Sequence, residues 1–79
     1  MTFEELCEYV TKLKLNDHKT HVAVNTDTIQ VENTVFYRNG NIEELPKHGI
    51  IGKNFSYNQM LLRIDNIFDR IRKGTWYDN

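Results

Sequence analysis

The chain is short of almost everything that would tie it to a specialised class. Its single cysteine, Cys7, cannot close an internal disulfide, so a small extracellular scaffold stapled by disulfides is excluded. One cysteine with three scattered histidines, His18, His21 and His48, lacks the paired ligand spacing of a structural zinc site, and no metal or cofactor is expected. Charge of one sign is also lacking. Ten Lys and Arg stand against eleven Asp and Glu, a net charge of −1, which removes the case for a generic polyanion binder. The longest apolar clusters, Val22-Ala23-Val24 and Met60-Leu61-Leu62, fall far below the ~20 residues of a bilayer crossing. The amino terminus opens acidic at Glu4-Glu5 and carries no targeting pattern, so the expected location is the cytoplasm, away from membranes. Outside that route Asn54-Phe55-Ser56 is a chance match to a glycosylation acceptor.

What is present suits one folded unit. Seventy-nine residues allow a single compact domain, 1–79, with 71–79 expected as a mobile tail. A 39% hydrophobic and 27% charged composition argues against wholesale disorder. Thr2 and Glu5 form a capping box ahead of Phe3, Leu6, Cys7, Val10 and Leu13, which share one helical stripe that Asn16-Asp17 can stop. His21 to Val24, Thr28 to Glu32, Thr34 to Arg38 and Asn41 to Leu45 carry the β-branched and aromatic content of strands. Asn39-Gly40 predicts a hairpin with a two-residue type I′ loop. Whether Val31 to Val35 is one bulged strand or two is open at Glu32-Asn33. Lys47 to Asn54 is expected as a loop, marked by Gly49 and Gly52. A second capping box, Ser56 with Gln59, opens a helix to Lys73, with Gly74 as its stop. The expected fold is therefore α+β: an N-terminal helix, an antiparallel meander of three to four strands, and a long C-terminal helix.

Catalytic chemistry finds little footing in so small a core, and no catalytic residue is assigned. Cys7 on an apolar helical stripe is expected to pack as a small hydrophobe. Gly52-Lys53 fails as a phosphate loop, because Lys47 and Asn54 stand where a glycine and a hydroxyl residue are required. Ile50-Ile51-Gly52-Lys53 fails as a KH signature, since Phe55 replaces the second glycine.

Two surfaces remain. Trp76, Tyr77, Phe36, Tyr37, Arg38 and Arg72 are of the residue types that dominate protein-binding hot spots, and they form the expected partner-binding set. Arg63, Arg70, Arg72 and Lys73 form a basic alternative that could grip DNA or RNA, although Asp65 and Asp69 on the same helix oppose it. An edge strand is a third route to a partner, with His21 to Val24 the more open candidate because Glu43, Glu44 and Pro46 look like edge protection.

The whole chain, with its one compact domain, missing catalytic kit, few prolines and aromatic-polar tail, is similar in character to small phage-encoded host-takeover proteins. Lytic Bacillus phages encode proteins of this size that disable host enzymes or division proteins, an inhibitor of enolase among them. The resemblance implies a noncatalytic inhibitor that binds a larger host protein, for example an enzyme such as enolase, in the host cytoplasm. Two other classes stand beside it: a small nucleic-acid-binding regulator, and a structural homodimer within a larger assembly.

Overall fold

The computed structural model describes residues 1–17, 19–45 and 49–75. Helix α1 spans Phe3–Leu15. Both halves of its capping box are made: Thr2 Oγ1 accepts from the Glu5 amide at 3.1 Å, and Glu5 Oε1 accepts from the Thr2 amide at 2.8 Å. Phe3, Leu6 and Val10 are buried on its inner face, and Asn16 caps its end. Five strands follow: β1 Val22–Val24, β2 Thr28–Val31, β3 Thr34–Tyr37, β4 Ile42–Glu44 and β5 Gly49–Gly52. They pair antiparallel in chain order, β1-β2-β3-β4-β5. Helix α2, Tyr57–Lys73, starts at Ser56 with a complete capping box and ends at Gly74, whose φ of 78° is left-handed.

The register sorts the side chains into two faces. Val24, Ile29, Phe36 and Ile42 lie in one cross-strand row, and Val22, Val31, Thr34 and Glu44 in another. Both rows are on the face that the helices cover. Phe36, Ile29, Val31 and Ile42 join Phe3, Leu6, Val10, Met60, Ile64, Ile67, Phe68 and Ile71 in a single core. The row between them, Ala23, Gln30, Val35, Glu43 and Ile50, belongs to the opposite face. Burial of the shared apolar face is the main force holding helices to sheet.

One end of the molecule is latched by Arg38. Its guanidinium pairs with Glu4 of α1 at 2.7 Å and with Asp27 of the β1–β2 turn at 3.0 Å, donates to the Thr26 carbonyl at 2.6 Å, and lies 4.7 Å from the Phe3 ring centroid. Its own carbonyl accepts from the Tyr57 hydroxyl at 2.7 Å, which brings in the start of α2. The two helices are joined directly where Tyr9 Oη donates to Asp65 Oδ1 at 2.8 Å.

Several expectations are corrected. The sheet has five strands, not three to four, because Gly49–Gly52 is a strand and not a loop. Gly52 had looked like a turn residue; it is glycine because the Phe55 ring occupies its side-chain space, with Phe55 Cε2 only 2.0 Å from where a Cβ would stand. Strand β4 consequently lies between β3 and β5, so Glu43 and Glu44 guard no edge; the margins are β1 and β5. Asn39-Gly40 does turn the chain, but through a three-residue loop. Gly40 N donates to the Tyr37 carbonyl at 3.0 Å and Tyr37 N to the Asn41 carbonyl at 2.9 Å, and of the loop residues Gly40 alone has positive φ, 95°. That geometry is a turn followed by a glycine bulge, which matches strand twist as a type I′ loop does. The ambiguity at Glu32-Asn33 resolves as a tight turn, since Val31 pairs with Thr34 and Glu32 has a φ of 54°. Ile71 is buried within α2, so a tail cannot begin there.

Candidate functional site

The residues expected to meet a partner are dispersed by the fold. Phe36 is fully buried at 0% exposure and is a core residue, which removes it from the binding set. Its neighbour Tyr37 falls on the opposite face by strand alternation and is half-buried there. The Tyr37 hydroxyl donates to Glu43 Oε1 at 2.6 Å, and that hydrogen bond to a carboxylate raises the phenol above its ordinary pKa. Arg38 spends its donors inside the chain, and the hydrogen bond with Glu4 leads the causes that raise its pKa. These contacts tie its guanidinium to Glu4, Asp27 and Thr26. Arg72 is exposed and pairs with Asp69 at 2.7 Å, while Lys73 holds the same carboxylate at 3.0 Å. These contacts, led by the one from Lys73, keep Asp69 below its ordinary pKa. Trp76 and Tyr77 lie outside the described residues.

The four basic residues of α2 are not brought together either. At about 100° per residue, Arg63 and Arg70 lie on one flank of the helix, with Arg72 roughly half a turn away. Arg63 and Arg70 face β5; Arg72 and Lys73 bracket Asp69. Cys7 is half-buried, and burial, aided by Glu4, pushes its thiol upward and so away from nucleophilic use. Among the described residues no group of three or more His, Cys, Asp or Glu could hold a metal ion. No described helix is long and apolar enough to cross a membrane.

What the fold does assemble is a surface around β5. This strand closes the sheet, pairing with β4 on one side only among the described residues. It reads Gly49-Ile50-Ile51-Gly52, without a charge, and exposes Ile50 at 44% and Ile51 at 42%. The pairing slips between Ile42 and Glu43: Ile42 faces Gly52, whereas Glu43 faces Ile50. Ile51 is therefore the extra residue of a β-bulge, and bulges re-aim side chains at sheet margins. Ile50 stays on the open face beside Glu43. Ile51 turns toward α2 and, with Phe36 and Ile67, lines a groove of about 240 Å³ whose rim carries Glu44, Arg63, Asn66 and Arg70. At the Gly52 end the Arg63 guanidinium stacks on the Phe55 ring, 4.7 Å from its centroid.

This surface was not anticipated. The two glycines concealed the strand, although a short apolar run bounded by turn residues is also the mark of a strand. The spacing of Arg63, Asn66 and Arg70, three and then four apart, already placed them on one helical flank. Among known proteins, no family model, no curated sequence and no solved structure matches this chain.

Proposed function

We propose that the chain is a noncatalytic protein-binding module, docking on a larger cytoplasmic protein through the edge of β5 and disabling it sterically. The observation that carries this reading is the β5 margin, which among the described residues pairs on one side only. Edge strands normally bear a charge, a proline or a covering element, because their unpaired amides and carbonyls invite another chain. Between Gly49 and Gly52 there is no charged residue, and two isoleucines stand exposed on opposite faces of the strand. An extended segment of a partner added there gains main-chain hydrogen bonds from the edge and apolar contact from Ile50 and Ile51. The likeness in character to phage-encoded inhibitors supplies the further step from binding to disabling.

Affinity capture with the intact chain as bait, run beside Ile50→Lys, tests the reading. Ile50 is nearly half exposed, so the lysine is expected to leave the fold intact. A partner retained by the native chain and depleted at least tenfold by Ile50→Lys is the expected result. Equal retention by both baits removes β5 as the docking edge, and retention of nucleic acid that falls steeply with salt would replace the reading with the basic-helix alternative.

A further inference from the structure

If β5 is the docking edge, its groove states what kind of segment docks. We infer that the partner segment is extended and acidic: one apolar side chain enters the groove between β5 and α2, and a carboxylate close to it in sequence meets Arg63. Ile51, Phe36 and Ile67 supply the apolar part of the groove's lining, beside Thr34. Its volume of about 240 Å³ lies below the ~300–1,000 Å³ usual for small-molecule sites, and suits a side chain better than a free ligand.

Glu44 pairs with Gly49, at the start of β5. Arg63 sits at the other end, over the Phe55 ring that packs on Gly52. A carboxylate is attracted at the Arg63 end. The cation–π contact with Phe55 holds the Arg63 guanidinium at this end, and the N–H donors of a guanidinium match a carboxylate in a fork. Among the described residues no carboxylate pairs with Arg63. A second copy that paired β5 with β5 would bring no acid to Arg63, since Gly49–Gly52 carries none.

The test uses the full chain, labelled with ¹⁵N, and two blocked peptides of alternating Val and Thr with a central Leu. One peptide carries Asp two positions from the Leu, and its twin carries Lys there. The acidic peptide is expected to bind at least fivefold more tightly than its twin, with the largest amide shifts in Gly49–Gly52. Arg63→Glu reverses the preference, and Lys12→Glu, the same charge change on α1, does not. Equal binding of both peptides on β5 overturns the acidic preference while leaving β5 as a docking edge. Shifts centred elsewhere, or no binding by either peptide at millimolar concentration, overturn the inferred occupant. In that event the dependence of the captured partner on Ile50 decides separately whether β5 docks anything.

Discussion

Replacing Gly52 with alanine probes the contact on which the geometry of β5 depends. Gly52 has no positive φ, so alanine is acceptable to its backbone, and the cost must come from packing. The new Cβ would stand 2.0 Å from Phe55 Cε2, 2.8 Å from Cζ and 3.1 Å from Cδ2. Atoms do not approach so closely, and the ring has to move. It cannot do so freely, because Phe55 packs against the core and carries Arg63 on its face. Overpacking of this kind costs ~1–3 kcal/mol. In a domain of this size each kcal/mol lowers Tm by about 4–8 °C. The comparison is sharpened by repeating the substitution in a Phe55→Ala background. With the ring gone, the three closest contacts are gone too, and alanine gains over glycine in a strand by roughly 0.5–1 kcal/mol. The same change should therefore destabilise the native sequence and stabilise the Phe55→Ala chain. Urea unfolding followed by far-ultraviolet circular dichroism measures all four corners of the cycle. A coupling below about 0.5 kcal/mol, within the error expected for independent sites, refutes the packing argument.

Three further outcomes follow from the same structure. Gly40→Ala should cost more than Gly52→Ala, because φ is 95° and the added Cβ meets backbone, with the Phe55 carbonyl at 3.2 Å and Asn54 Cα at 3.3 Å; equal midpoints in urea would contradict this. Phe36→Ala should destabilise by ~3–5 kcal/mol as a buried aromatic truncation, whereas a near-neutral effect with weakened partner binding would return Phe36 to the surface. Acid should weaken the fold: Glu4, held down chiefly by Arg38, Glu5, held down by the Thr2 amide, and Asp69, held down chiefly by Lys73, all lie below their ordinary values of 4.5, 4.5 and 3.8. Their folded pKa values are lower than the unfolded ones, so this stability is full above those ordinary values and lost as pH falls through the folded ones. Unfolding midpoints measured from pH 7 to pH 3 should hold level to about pH 5 and then decline, and a midpoint unchanged at pH 3 would sink the assignment.

The helices were legible because their signals are local. A capping box needs two residues three apart, and the stripe of α2 repeats through several turns, so Ser56 and Gly74 mark its limits in sequence as they do in space. The strands were legible as segments but not as neighbours. Phe36 and Tyr37 are adjacent aromatics, and only the pairing of β3 with β2 and β4 decides which one enters the core. Arg38 resembled a surface anchor because its partners, Glu4 and Asp27, are remote in sequence. The fifth strand was hidden by its two glycines: Gly49 has a φ of 60°, and Gly52 makes room for a ring three residues further on, a contact that no periodicity encodes.

The central claim is that a partner segment completes the margin at β5, which carries no charge from Gly49 to Gly52 and is unpaired on one side among the described residues. Amide hydrogen exchange on the ¹⁵N-labelled chain, alone and saturated with the captured partner, tests it most directly. The account predicts that within Gly49–Gly52 the outward amides exchange quickly in the isolated chain and become protected in the complex, while amides of β1 keep their rates. Protection that appears at β1, or slow exchange throughout β5 before any partner is added, would contradict it.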